Sequence, residues 1–294
     1  MGLLALFSCE KELVIVLPEA EPKLVVYAFL RNGEPLEARI SKTRSALSDE
    51  PFVFPTDAWV ELLADGVSVD TLTYGLSHTG APRYRSRTVP QEGIQYTLRA
   101  RWADLPEVSA TAALPGPLSV AAWEWDTTYL QNPNLGENSY ALDGRLTIAD
   151  DPGEEDFYAL QVAQIVQSFF TDAQGDTIYN APDTLWVPLA TDMSGPVLAY
   201  AGEGLLFADG ALSDGQVHFS CRLAATDGFR RSLGFVLYAK RVSRDYYLFY
   251  RGVFQNGFSN DLSLFSEPVE VYNNISGGFG NFSGLQQVIF PVGW

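Results

Sequence analysis

The residues of this chain best suited to nucleophilic or metal chemistry are two cysteines, Cys9 and Cys221, and two histidines, His78 and His218. Only one pair lies close in sequence, in Gln216-Val217-His218-Phe219-Ser220-Cys221. On a strand, residues three apart point to opposite faces. Val217, Phe219, Cys221 and Leu223 then share one face, and His218, Ser220 and Arg222 the other. That arrangement disfavours a Cys–His dyad or a shared metal and predicts Cys221 as a small buried hydrophobe. The chain contains no Cys-x-x-Cys, His-Glu-x-x-His or Gly-x-Ser-x-Gly. Ser276-Gly277-Gly278-Phe279-Gly280 lacks phosphate-loop spacing and reads as a tight turn or bulge. No catalytic, cofactor-binding or metal-binding residue emerges, so a non-enzymatic chain without a cofactor is expected.

Cys9 has a different context. Gly2 to Ser8 is an apolar run that is too short to span a bilayer and reads as the end of a signal-peptide h-region. No Lys or Arg precedes it, so either the true start lies upstream or the numbering begins inside the signal. A frayed, unremarkable terminus is the alternative. Leu6-Phe7-Ser8-Cys9 resembles a bacterial lipobox, with Leu at −3 and a small residue before the cysteine. In that chemistry the thiol is acylated and the peptidase then cuts before the modified residue. Lipidation at Cys9 would leave Cys221 without a partner, so no disulfide framework is expected. Two acyl chains on a glyceryl cysteine hold stably where one holds weakly.

Acids and aromatics supply the remaining candidates. Ala149 to Asp156 holds five carboxylates in eight residues. It lacks the alternating spacing of a calcium loop, so a solvated loop is favoured, and calcium at 150–156 stays open. A carboxylate pair for glycan hydrolysis is the least favoured class, because no motif supports it; it stays open because 36 acids offer many pairs and the distances between them are not readable from sequence. Trp123, Trp125 and Tyr129 form one aromatic group, and Tyr246, Tyr247, Phe249 and Tyr250 another. Either stacks on a ligand or partner if exposed, or packs the core if buried. The net charge of −17 excludes nucleic acid as a partner and argues against docking on anionic lipid.

These groups need a scaffold, and the sequence predicts an all-β one with little helix. Alternating or β-branched runs mark strands at Lys23–Leu30, Leu36–Lys42, Ala58–Leu63, Val67–Tyr74, Ile94–Trp102 and Val108–Leu114. Asn32-Gly33 and Asp65-Gly66 mark hairpin turns. Further strands are expected at Arg145–Ile148, Tyr158–Ser168, Thr184–Pro188, Gln216–Leu223, Ser232–Arg241 and Tyr246–Phe254. Short helical turns are expected only within Asp126–Glu137 and Gly202–Ser213. Pro115-Gly116-Pro117 is the best boundary. The expected organisation is a signal remnant, lipidated Cys9 and tether over 1–21, an immunoglobulin-like β-sandwich over 22–116 and a larger antiparallel β-sandwich domain over 117–294.

Three C-terminal stretches carry a family resemblance. Ser243-Arg244-Asp245-Tyr246-Tyr247-Leu248-Phe249-Tyr250 is similar to a Ser-x-Asp-Tyr-Tyr-x-Tyr signature. Glu267-Pro268-Val269-Glu270-Val271-Tyr272-Asn273-Asn274-Ile275 resembles Glu-Pro-Val-x-Val-Tyr-Ser-Asn-Ile. Gly278-Phe279-Gly280-Asn281-Phe282 resembles the Gly-x-Gly-x-Phe that follows it. Phe207-Ala208-Asp209-Gly210 adds a looser match. In this order the motifs resemble the Bacteroidota family catalogued as domain of unknown function 4249. That resemblance implies an outer-membrane lipoprotein often found beside TonB-dependent transporters, and it brings no catalytic residues. The same motifs also have a plain structural reading, with Pro268 opening an edge strand, Val269 and Val271 facing inward and Asn273-Asn274 making a turn.

The expected function is therefore a lipid-anchored, surface-exposed outer-membrane protein. Its expected partners are the lipid that holds acylated Cys9, a TonB-dependent transporter, and a glycan, peptide or small ligand. Glu10-Lys11-Glu12 resembles an acidic surface-export signal. A structural or adhesive module without a small ligand is the alternative, and a carboxylate-based glycan hydrolase a second.

Overall fold

The computed structural model describes residues 21–45, 48–77, 79–131, 138–149, 153, 155–195, 197–200, 204–225, 229–262 and 271–293. The first strands in chain order are β1 (Leu24–Arg31), β2 (Glu34–Lys42), β3 (Trp59–Ala64), β4 (Val67–Thr71), β5 (Thr73–Leu76), β6 (Pro82–Arg85), β7 (Gln95–Arg101) and β8 (Val108–Ala113). After Pro115-Gly116-Pro117 come β9 (Val120–Leu130), β10 (Ser139–Ile148), β11 (Phe157–Thr171), β12 (Thr177–Tyr179), β13 (Asp183–Val187), β14 (Leu189–Ala190), β15 (Leu198–Tyr200) and β16 (Gly204–Ala208). A single 3-10 turn at Asp209–Ala211 precedes β17 (Gln216–Ala224) and β18 (Arg230–Val242). One helix, α1 (Arg244–Leu262), and the last strand, β19 (Phe279–Gly293), complete the described elements.

The protein is all-β with two sandwiches and little helix, as the sequence predicts. Both sandwiches share one long sheet. Its order is β15-β16-β11-β18-β19-β1-β2-β6-β5, with β12 and β13 also paired to β11. A second sheet, β4-β3-β7-β8, covers the β1–β2 end, and a third, β14-β17-β10-β9, covers the β11–β18 end.

The first core packs Leu24, Val26, Ala28 and Leu30 of β1 against Val60, Leu62, Tyr96 and Leu98. The second packs Leu160, Val162, Phe235 and Leu237 against Leu142, Leu146, Val217 and Phe219. Strand alternation produces this directly: β1 is buried at every second residue, and so is most of β7.

β19 joins the two sandwiches. It pairs in parallel with β1, Val25 opposite Phe279 through Arg31 opposite Leu285, and antiparallel with β18 on its other edge. Its even-numbered side chains serve both cores in turn. Phe282 enters the first core, while Val288, Phe290 and Val292 pack on the second. Gln286 lies between them, buried, and its Nε2 donates to Glu92 Oε1 at 2.6 Å and to the Pro115 carbonyl at 3.3 Å. Beside it Arg241 donates to Asp156 at 2.6 Å, directly beneath Gly116, where a Cβ would lie 2.7 Å from the guanidinium.

The glycines of the last motif permit this approach. Gly280, at φ +121°, would place a Cβ 1.9 Å from the Val26 carbonyl oxygen. A Cβ at Gly284 would meet the Ala113 carbonyl at 2.1 Å. The stretch expected as a tight turn or bulge therefore contains the start of a 15-residue strand.

Tyr246–Phe254 corrects the strand expected there, because it is the body of α1. Aromatic content suggested a strand, yet Tyr246, Tyr250, Val253 and Phe254 also recur at helical spacing. Ser243 caps the helix: its Oγ accepts from the Tyr246 amide at 3.4 Å and its carbonyl from the Tyr247 amide at 3.0 Å. Asp126–Leu130, expected as helical, belongs to strand β9, whereas the turn at Asp209–Ala211 falls within the second region expected to be helical. Of the edge strand expected from Pro268, only Val271 is described, and it lies outside any strand.

Candidate functional site

The long sheet has a second face, turned away from both cores. Over its middle lies α1. Tyr247 and Phe254 pack there with Phe157, Ala159, Leu206, Val242 and Leu285, a third apolar cluster. The family-like motifs build this junction. Tyr272 donates its hydroxyl to Asp245 in the first turn of α1, and Asn281 Nδ2 donates to the Asp245 carbonyl at 3.2 Å. Burial first, then Asp245, pushes the Tyr272 phenol up to about 12. Asn274 brackets Phe282 through both backbone groups, at 2.7 and 2.9 Å. Their role is to fix the helix onto β19.

α1 does not reach across β2 and β6. The step between its flank and the uncovered strands forms a groove of about 670 Å³. The wall is aromatic. Phe249 meets Tyr27 of β1 edge-on, with ring centroids 5.7 Å apart, and Tyr250 stacks near Phe29 at 6.3 Å. Val253 extends this wall.

The floor is cationic. Outward-facing residues of β1, β2 and β6 put Arg31, Arg39, Arg83 and Arg85 into the groove against Glu34 and Glu37. Four guanidiniums and two carboxylates leave a net charge of +2 in a chain whose total is −17. The strand register sets their order, with Tyr27 opposite Arg39, Phe29 opposite Glu37 and Glu37 opposite Arg85.

Glu37 holds two of the arginines, Arg85 at 2.6 Å and Arg83 at 3.4 Å. Arg83 Nε is buried and makes no hydrogen bond among the described residues. Arg31 pairs with exposed Glu34 at 3.5 Å. Arg39 has no carboxylate partner among the described residues, and its guanidinium lies 4.8 Å from the Phe54 ring centroid. Burial raises the Tyr27 phenol, with Arg39 opposing, so its hydroxyl is a donor at neutral pH.

The residues singled out from sequence fall elsewhere or outside. Cys9 and His78 lie outside the described residues, as do Asp150, Asp151 and Glu154 of the acidic run. His218 and Cys221 do point to opposite faces of β17. Cys221 is half-buried against the second core, and its thiol is pushed up to about 12 by burial and then by Asp143. A thiol so raised is a poor nucleophile at neutral pH. His218 shares a shallow outer dish with Glu124, Asp126, Asp143 and Asp192, and its Nε2 lies 3.3 Å from Gln216 Oε1.

Trp123 stacks on Phe219 at 5.8 Å and is a core residue, whereas Trp125 and Tyr129 are exposed. Among the described residues no three His, Cys, Asp or Glu gather to hold a metal.

Among the described residues two aspartates are buried, and both are engaged. Asp156 holds Arg241. Asp70 accepts from Ser86 Oγ at 2.7 Å, the Arg87 amide at 2.6 Å and Arg87 Nη2 at 3.1 Å. Burial alone would raise the Asp70 carboxyl, but those bonds outweigh it and bring it down to about 2.

Sequence reasoning missed the groove, although it named one of its walls. The readable signal was the outward set Tyr27, Phe29, Glu37 and Arg39 on two strands joined by Asn32-Gly33.

Comparison with known proteins adds the following. No curated protein matches the chain. Similar solved structures include an Enterococcal surface protein, partial N-terminal region, at 10% identity over 74% of this chain and 88% of that one, with a TM-score of 0.17. A Biofilm associated protein B domain shows 8% identity over 92% and 86%, also with a TM-score of 0.17. A family profile matches residues 10–288, nearly the whole chain, and by that match the chain belongs to the family described as Domain of unknown function (DUF4249).

Proposed function

We propose that this protein is a non-enzymatic binding module, held at the outer membrane by lipid on Cys9 and displayed at the surface, that assists a TonB-dependent transporter in ligand capture or complex assembly. The observation that carries the binding part is the groove beside α1, a concave site with an aromatic wall and a few convergent polar groups. The non-enzymatic part draws support from the buried aspartates, each committed to an arginine and poorly placed for acid–base work. The anchor draws on Leu6-Phe7-Ser8-Cys9, and the transporter on the family resemblance.

Two experiments test it. Purification from native membranes in mild detergent should recover a TonB-dependent barrel with the chain, and deletion of the gene should reduce uptake through that barrel. Recovery of no barrel together with unaltered uptake overturns the partnership. Cys9→Ser should release the protein from the outer-membrane fraction, and its retention there overturns the anchor.

A further inference from the structure

We infer that the groove between α1 and the open strands β1, β2 and β6 takes a small carboxylate with an aromatic body, the carboxylate at Arg39 and the body against Tyr27, Phe249 and Tyr250. This rests on the proposed binding role of the groove and names its ligand class.

Charge comes first. A +2 patch in a chain of net charge −17 repels cations and draws an anion out of a field that elsewhere repels it. The internal carboxylates do not satisfy all four arginines. Glu37 is shared by Arg83 and Arg85, and Glu34 is taken by Arg31. That leaves Arg39 with its fork of donors and no carboxylate among the described residues.

One guanidinium without a carboxylate among the described residues matches one anionic group. A carboxylate fits its planar geometry through two parallel N–H···O bonds. The Tyr27 hydroxyl adjoins it, because Tyr27 and Arg39 are cross-strand partners.

The remainder of the ligand follows from the wall. Tyr27 and Phe249 stand 5.7 Å apart edge-on, and Phe249 and Tyr250 5.3 Å apart and almost perpendicular. Rings set at right angles offer both a face and an edge to a flat guest. A volume of about 670 Å³ is in the range of small-molecule sites. The arginines also distinguish this site from the outer dish around His218, where four carboxylates stand against the single arginine Arg145.

The test is isothermal titration of the full chain in mild detergent with a matched pair of probes, 2-naphthylacetate and its neutral amide, 2-naphthylacetamide. The acid should bind and the amide should bind about tenfold more weakly or worse, since a charge-assisted hydrogen bond is lost. Raising the salt concentration should weaken the acid and leave the amide unchanged.

Arg39→Glu, a change at an exposed position, should abolish binding of the acid. Val253→Trp should block both probes by filling the wall. Equal affinity for acid and amide overturns the ligand class and leaves the binding role intact. Binding of the acid that survives both substitutions overturns the location, and failure of the acid to bind overturns the inference. None of these results bears on recovery of a transporter from membranes, which tests the proposed function separately.

Discussion

The two faces of the long sheet do opposite jobs with the same strands. On β1, Leu24, Val26, Ala28 and Leu30 are almost wholly inaccessible, while Tyr27 is 37% exposed and Arg31 is open. On β2, Leu36, Ala38 and Ile40 enter the first core, while Glu37 and Arg39 face the groove. The core face is sealed by two further sheets along its length. Among the described residues, the other face is covered only as far as one helix extends. Stability is concentrated on the sealed face, and chemical variety on the half-covered one. Function should therefore be separable from folding by substitutions that respect the alternation.

The sharpest test of the sealed face lies on β19, which serves both cores. Gly280→Val would drive a side chain into the Val26 carbonyl from a backbone conformation that L residues rarely adopt. A cost of more than about 3 kcal/mol is expected, enough to unfold the chain or leave it insoluble. Phe282→Ala removes a fully buried ring and should cost about 3–5 kcal/mol.

The informative part is cooperativity. Because β19 bridges both sandwiches, urea unfolding of the Phe282→Ala variant should show one transition by every probe. The first sandwich reports through Trp59 and Trp102, and the second through Trp123. Transitions that separate when each tryptophan is kept alone would show that the two halves fold independently and that the shared strand does not couple them.

Next in size is the polar tie that closes the far end of the first sandwich. Asp70 of β4 bonds Ser86 and Arg87, which follow β6, and so connects the two sheets across the core. Its carboxyl stands at about 2 in the fold against an ordinary 3.8. A depressed folded value means that the contribution is complete above about pH 4 and disappears as pH falls through about 2. Asp70→Asn should lower the melting temperature at pH 7 and flatten its fall between pH 4 and 2. An unchanged acid limb would remove Asp70 from that role.

Much of this was legible beforehand, for reasons that particular residues make plain. β1, β2, β7 and β17 alternate cleanly because one face is buried and the other wet, so periodicity alone placed them. Asn32-Gly33 and Asp65-Gly66 announced their hairpins through residues that tolerate positive φ. The elements misread were those where a long-range contact decides. Tyr246–Phe254 has strand-like composition, and what makes it helical is a serine cap together with an apolar sheet for its aromatic side to cover. Phe279–Gly293 follows a glycine cluster that signals a turn until β1 approaches closely enough to need it. The groove was illegible for the same reason. The helix side of its wall and its floor are more than 160 residues apart in sequence, and the β1–β19 pairing brings them together.

The smallest effect belongs to the half-covered face. Ser243→Ala removes the side-chain acceptor at the start of α1 and the bond to the Gly284 amide at 3.2 Å. A loss of about 1 kcal/mol is expected for such a cap. That is small beside the core substitutions, because both sandwiches keep their packing. The helix should nonetheless fray at its first turn, and Phe249 and Tyr250 sit just beyond it. Amide hydrogen exchange should accelerate across 245–250 while β1 and β7 keep their protection. Affinity for 2-naphthylacetate should fall several-fold with the melting temperature nearly unchanged. If exchange instead rises equally in β1 and β7, the helix is part of the same cooperative unit as the cores. The two faces would then not be separable, and the groove could not change without altering the stability of the whole chain.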